Sequence, residues 1–339
     1  MIRRTLMGAA LISTLALAGC GKKAETPAAG AKPGEIVFSI LSAENQQSMA
    51  PLWQPLLDDM SAAVGVKVKP YFATNYTSLV EAMRFKQVQV GWFSASPALS
   101  AVNRADAEVV GRIIDSGGDA TYKSIIIVRG DSGITLDKVL KCDKSLNFGI
   151  GDVQSTSGTL APMTYLFTPK GVEPAKCFKT VRSASHQANA VSVATGLLDA
   201  ATNNSVGLAF FKDEKPEMAK NLKVIWESPA LPESSIVVRK DLDPALKEKI
   251  RQFFLTYGTG DDAVGQKQRE VLKKLKYGGF RPADNSYLDP VREMEAGEDL
   301  ASAKRTGDAA KIAKAQAEYD RIKAQAEANR AKEPAAPAQ

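Results

Sequence analysis

The stretch Gly149-Ile150-Gly151-Asp152-Val153-Gln154-Ser155-Thr156-Ser157-Gly158-Thr159 gathers small residues and hydroxyl donors at one place in the chain. The apolar run Leu146–Gly151 reads as a strand and Ser157–Phe167 as a helix, so the three hydroxyl residues stand at the junction. The first N–H groups of a helix have no preceding carbonyl to bond, and they sit at the positive end of the helix dipole. Hydroxyls beside them rotate to donate to a tetrahedral oxyanion. The same residues also make an ordinary helix cap, a purely structural role. No Gly-x-x-x-x-Gly-Lys is present, which excludes a nucleotide P-loop.

His186 is the single histidine of the chain. It stands at a second strand-to-helix junction, between a strand at Lys179–Arg182 and a helix at His186–Leu198. Neighbouring βα units bring their helix starts to one crevice at the strand ends, where open α/β sheets bind ligands. A ring nitrogen there adds a further donor. Paired with Ser155 or Ser157, His186 also reads as a serine hydrolase. That alternative has no Gly-x-Ser-x-Gly elbow and no acid placed to orient the imidazole. One histidine and no Cys-x-x-Cys leave nothing for a metal, and no cofactor motif occurs.

The elements that must position these residues alternate along the chain. Strands at Ile36–Leu41, Val66–Phe72 and Val88–Phe93 are separated by helical patterns at Met49–Val64 and Tyr76–Gln87, which argues for an α/β class with a largely parallel sheet. Two apolar runs of like composition, Ser124–Arg129 and Ser235–Arg239, flank a second α/β unit. This pattern predicts a chain that crosses from one lobe to another and back. The expected division is a first lobe over 35–128, a second over 129–234, and a return to the first over 235–300. Residues 301–332 are rich in helix formers and predict one long C-terminal helix, with a thin apolar stripe of Ile312, Ala315, Tyr319 and Ile322 for packing or a homodimer contact.

The N-terminus predicts export. Arg3 and Arg4 precede a short apolar run ending in Leu17-Ala18-Gly19-Cys20, which resembles a lipoprotein signal over 1–19 with the lipid carried on Cys20. Residues 20–34 read as a flexible tether and 333–339 as a disordered tail. The formal charge of +6 is mild, with no basic stripe interleaved with aromatics, which excludes a nucleic-acid partner. Cys142 and Cys177 each precede a strand-like run; in an oxidising compartment they predict a disulfide, the alternative being two buried thiols.

With these landmarks in order the sequence resembles the periplasmic phosphonate-binding proteins of phosphonate, phosphate and phosphite ABC importers. Besides Gly149–Gly158 and His186, the resemblance rests on Glu44-Asn45-Gln46, Tyr76, Met83-Arg84-Phe85, Asp199–Asn204 and Lys223-Val224-Ile225-Trp226. It implies a two-lobed solute-binding fold of type II with two crossover strands, a small-molecule ligand, a membrane permease as partner, and no enzymatic step. It also implies that Tyr76, Tyr122, Ser155, Thr156, Ser157 and His186 hold the phosphorus oxyanion. The chain departs from the family at the ligand's far end. Val206 and Ser234 stand where family members carry acids that pair an ammonium tail, with Glu233 adjacent, and Lys123 stands where an aromatic is usual. Glu44, Lys123, Val206, Glu233 and Ser234 are therefore the candidate tail contacts, and the expected ligand lacks an ammonium, since a buried ammonium without a carboxylate is costly. A receptor for selenate or sulfate is the alternative within the same fold.

Overall fold

The computed structural model describes residues 34–41, 43, 44 and 46–332. The expected signal, Cys20, the tether up to residue 33, Asn45 and the C-terminal tail lie outside the described residues. Among the described residues no helix is long and apolar enough to cross a membrane.

The strands run in chain order as β1 (Glu35–Ile40), β2 (Lys67–Phe72), β3 (Val90–Phe93), β4 (Ala107–Asp115), β5 (Thr121–Tyr122), β6 (Ser124–Arg129), β7 (Asn147–Ile150), β8 (Thr180–Ser183), β9 (Ala200–Asn204), β10 (Leu222–Glu227), β11 (Leu231–Pro232), β12 (Ser235–Arg239) and β13 (Tyr277–Arg281). They form a six-stranded sheet ordered β13-β4-β12-β3-β1-β2, a five-stranded sheet ordered β10-β6-β9-β7-β8, and a two-stranded link between β5 and β11. Each large sheet has a parallel part, with β1 pairing β2 and β3 in one and β7 pairing β8 and β9 in the other. Strands near the crossings run antiparallel to these, so both sheets are mixed. Helices alternate with the parallel strands, as a βαβ connection requires.

β6 pairs with β9 and β10 and so belongs to the second sheet. The change of lobe therefore falls beside Tyr122 rather than after Val128. The apolar run of β6 reports burial on both faces, which either sheet would satisfy; only its long-range pairing decides. β12 returns to the first sheet between β3 and β4. The chain thus passes twice through the short β5–β11 ribbon, whose register sets Leu231 opposite Tyr122.

The C-terminal segment corrects the expectation of one long helix. Asp289–Thr306 and Ala309–Arg330 are separate helices. Gly307, at φ +69, ends the first, and the Asp308 carboxylate accepts from the N–H groups of Ala310 and Lys311 to start the second. The two pack antiparallel: Asn329 donates to Asp289 at 2.7 Å, Arg330 pairs with Glu293 at 2.8 Å, and a side chain on Gly297 would meet the Tyr319 ring. The stripe of Ile312, Ala315, Tyr319 and Ile322 is partly buried, in keeping with the packing alternative read from it. The first helix of the pair also touches both lobes. Ser96 donates to Glu295 from the first, Thr168 donates to Glu298 from the second, both at 2.8 Å, and Met294 packs with Tyr122, Ala161 and Leu231 at the ribbon.

Cys142 and Cys177 are joined in a disulfide that closes a 35-residue separation around the Ser155–Ser157 junction. Cys177 is buried beside Phe148, Phe167 and Phe178, the aromatic centre of that lobe. Replacing both cysteines by serine is expected to lower unfolding free energy by about 3–4 kcal/mol, the loop-closure value for such a span. Urea denaturation of the variant against the oxidised protein checks this; a loss below about 1 kcal/mol would contradict it.

Candidate functional site

The carboxyl ends of the parallel strands in both lobes face one crevice. From the first lobe, the loop after β1 carries Glu44, the loop after β2 leads to Tyr76, and β3 is followed by Ser94. From the second, β7 leads to Ser155 and β8 to His186. Tyr122 and Glu233-Ser234 come from the β5–β11 ribbon and lie at its floor. Together they enclose a cavity of about 50 Å³. A single ordered water needs at least roughly 10–15 Å³, so the space suits a group of a few heavy atoms.

The Ser155 junction is shaped by two glycines. The Gly151 N–H donates to the Gly158 carbonyl at 2.9 Å, and a Cβ on Gly151 would stand 2.5 Å from the Gly158 Cα. This close approach folds the loop back on the helix start. Ser155 is the N-cap, its Oγ accepting from the Gly158 N–H at 2.9 Å, which leaves its hydroxyl proton to donate elsewhere. The helix that follows opens with a π turn over Thr156–Leu160, and a second covers Met163–Phe167. Such wide turns are rare and frequently mark functional sites. His186 opens the helix His186–Ala194 behind the N-cap Ser185, and its Nε2 lies 3.5 Å from both Ser155 Oγ and Ser157 Oγ. Tyr76 is the first residue of a helix capped by the Asn75–Ser78 box. Its hydroxyl stands against Ser155, and that of Tyr122 against Ser157 and Thr156.

Of the residues expected to hold the anion, Tyr76, Tyr122, Ser155, Ser157 and His186 line this cavity. Thr156 is buried beside it, where its Oγ1 accepts from the Ser96 N–H at 2.8 Å and lies 3.4 Å from Ser94 Oγ. That hydroxyl ties one lobe to the other. Asp152 acts alike, accepting from the Tyr76 N–H across the crevice at 3.2 Å. At the mouth, Lys276 pairs with Asp213 and lies 5.2 Å over the Phe210 ring. The lobes are therefore closed on each other. Glu44, Val206, Glu233 and Ser234 line the cavity, whereas Lys123 does not: its ammonium is drawn to Glu227 at 2.6 Å on the exposed side of β6 and β10. The expected positive charge at the cleft mouth is thus absent at that position. Asn204, the last residue of the Asp199–Asn204 run, also lines the wall, as do Trp92, Tyr277 and Phe210, which no motif marks.

Among the described residues no Lys or Arg lines the cavity, so the donors they provide are neutral. Burial pulls the His186 imidazole down to about 4, which keeps it uncharged at neutral pH. Its Nδ1 has no hydrogen-bond partner, so no carboxylate orients the ring as a hydrolytic triad would require. Burial also raises both tyrosines above their ordinary range, which holds them protonated as donors. Glu44 is pushed up to about 8, first by burial and then by the nearby Glu214 charge. Burial raises Glu233, opposed by the Ser234 N–H that its Oε1 accepts at 2.8 Å. What the cavity can do is surround a small anion with hydroxyl, imidazole and backbone donors, while two carboxyl groups stand at its edge.

Comparison with known proteins agrees with this geometry. Residues 38–288 match the family model described as the periplasmic substrate-binding protein of the phosphonate ABC transporter. The phosphonates-binding periplasmic protein of Escherichia coli K12 is 39% identical over 258 residues, 76% of this chain and 75% of that one. A binding-protein component of a phosphonate ABC transporter from Pseudomonas aeruginosa superposes with a TM-score of 0.83 at 35% identity, covering 89% of this chain and 100% of that one. PhnD1 of Prochlorococcus marinus in complex with methylphosphonate shares the fold, with a TM-score of 0.67 at 21% identity over 78% of this chain and 97% of its own. The chain therefore belongs to the periplasmic substrate-binding proteins of phosphonate ABC transporters, which deliver a small molecule to a membrane permease and carry out no chemical step.

Proposed function

We propose that this protein captures a phosphorus oxyanion without an ammonium tail, such as an alkylphosphonate, phosphite or phosphate, and presents it to its permease as a lipoprotein anchored through Cys20. The observation that carries the reading is the ring of neutral donors from Tyr76, Tyr122, Ser155, Ser157 and His186 around one small cavity. Neutral donors and a helix N-terminus stabilise an anion without trapping it, since hydrogen bonds to charge contribute roughly 1.5–3 kcal/mol each. The tail preference follows from Val206. Where the family resemblance implies an acid, Val206 packs against the apolar group of Tyr122, Ala161 and Leu231, a wall that favours a methyl over an ammonium. Because the C-terminal stripe is engaged within the chain, the proposed binding unit is one copy.

A thermal-shift screen over phosphite, phosphate, methylphosphonate, 2-aminoethylphosphonate, sulfate and selenate tests this. A ligand at 100 times its Kd stabilises by about 2.7 kcal/mol. Methylphosphonate or phosphite is expected to shift Tm more than 2-aminoethylphosphonate, and Ser157→Ala is expected to raise the Kd about 10- to 100-fold. A much larger shift with 2-aminoethylphosphonate would sink the tailless reading.

A further inference from the structure

Glu233 is a negative group in a place meant for an anion. It lies 6% exposed on the crossover between β11 and β12 and lines the cavity. Its Oε1 is held by the Ser234 N–H, while its Oε2 is buried with no hydrogen-bond partner among the described residues. It bears electrostatically on the hydroxyls of Tyr122 and Tyr277, the first of which stands against Ser157 and Thr156. Among the described residues no cation lines the cavity to offset it. A fully ionised oxyanion set against this carboxylate would face like-charge repulsion in a water-poor space. An oxyanion that keeps one proton removes the conflict, because its P–OH donates to Oε2 while its remaining oxygens accept from the hydroxyl ring.

We propose that Glu233 is the acceptor for a protonated oxygen of the bound ligand, and that this contact selects oxyanions bearing a proton near neutral pH over sulfate and selenate. The inference rests on the oxyanion-receptor reading above and adds the protonation state of the ligand. The groups around Glu233 are Asp115 from β4, Tyr122 from β5, Tyr277 from β13 and Tyr287 from the turn Asn285–Leu288, with Arg112 of β4 bearing on Tyr287. Arg112 lies 5.3 Å from the Tyr287 ring, and the Tyr287 hydroxyl donates to the Glu233 backbone carbonyl.

The test is calorimetric titration of methylphosphonate, phosphite, 2-aminoethylphosphonate and sulfate into the unaltered protein and Glu233→Gln at pH 8. Glutamine keeps the acceptor for the Ser234 N–H and turns the other position into a donor. Sulfate is expected to bind the unaltered protein at least 100-fold more weakly than methylphosphonate, and Glu233→Gln to narrow that ratio at least tenfold. The unaltered protein supplies a second readout: affinities for phosphite and methylphosphonate should each fall as pH passes that ligand's own second ionisation, at different pH values. A shared break point below about pH 8, where Glu44 has yet to ionise, would assign the dependence to a protein group and overturn the inference, as would an unchanged sulfate ratio in a folded Glu233→Gln. If 2-aminoethylphosphonate binds more tightly than methylphosphonate and loses that advantage in Glu233→Gln, the donor is an ammonium and the inference fails. Equal binding of sulfate and methylphosphonate by the unaltered protein overturns it but leaves an oxyanion receptor. Binding of no tetrahedral oxyanion overturns both.

Discussion

Replacing Gly151 by alanine is expected to raise the Kd for the bound oxyanion about 100-fold or more, with a loss of stability of about 1–3 kcal/mol. The added Cβ would lie 2.5 Å from the Gly158 Cα and 2.9 Å from its carbonyl carbon. These are backbone atoms, so no side-chain rotation relieves the clash, and overpacking of this kind costs about 1–3 kcal/mol. The loop must move away from the helix start, breaking the 2.9 Å bond from Gly151 N–H to Gly158 carbonyl. That carbonyl is also the acceptor for Thr202 Oγ1 at 2.7 Å, so the shift reaches β9 as well. Ser155 and Ser157 then leave the positions from which both reach His186. Two lost hydrogen bonds to charge at roughly 1.5–3 kcal/mol each correspond to about two to four powers of ten in Kd. Gly111→Ala is the control: the nearest atom to its Cβ is 3.6 Å away, an ordinary contact, and affinity should be unchanged. Isothermal titration of the three proteins with methylphosphonate decides it. A Gly151→Ala protein that binds like the control would show that the two-glycine contact does not set the site.

The anion end of this site was legible in the sequence because its physics is local. Hydroxyls at a strand-to-helix junction imply unpaired N–H groups whatever the rest of the chain does, and His186 announced a second junction by the same signal. Asn75, Asn204 and Ser185 also act as helix caps, each accepting from an N–H in the first turn of the helix it starts. What the residues could not disclose is which surfaces meet. Thr156 looked like a third ligand donor, yet the N–H that reaches it belongs to Ser96, 60 positions away. Lys123 looked like charge for the cleft, but its fate depends on Glu227 on the neighbouring strand. β6 was placed in the wrong lobe because an apolar run specifies burial, not partners. The break at Gly307-Asp308 differs in kind. A left-handed glycine followed by an aspartate cap is a readable stop and start, outweighed by the helix-forming composition on either side. Tyr277 and Trp92 reach the wall only because β13 and β3 end there, a consequence of sheet order.

The second large effect concerns Glu44, whose carboxyl stands in the cavity wall against the start of the helix Ser205–Glu214. Gly207 makes room for it: a Cβ there would stand 2.9 Å from Glu44 Oε1. Burial and the charge of Glu214 push this carboxyl from 4.5 up to about 8, so the folded protein carries its proton at neutral pH. The unfolded chain ionises near the ordinary value, so between these limits the folded state binds more protons than the unfolded one. Stability from this group is therefore fully present below about pH 4.5 and is lost as pH rises through about 8. His186 acts in the opposite sense lower down: its folded value of about 4 lies below the unfolded 6.5, so its neutral burial lowers stability as pH falls through that window. Above pH 6.5 the His186 contribution is flat and Glu44 can be read separately. At 1.36 kcal/mol per unit, ligand-free protein should lose about 2 kcal/mol between pH 6.5 and pH 8 through this carboxyl. Glu44→Gln fixes the neutral form and should remove that loss, so the two unfolding curves diverge as pH rises. Urea titrations at pH 6.5, 7.2 and 8 measure it, and parallel curves would refute the assignment. The functional corollary has the same sign. A charge appearing on Glu44 beside the bound anion is repulsive, so affinity should fall above about pH 8 in the unaltered protein and fall less in Glu44→Gln. On the proposed reading, a neutral carboxyl next to an ionised oxyanion is a working part of the wall, held neutral by burial between the lobes.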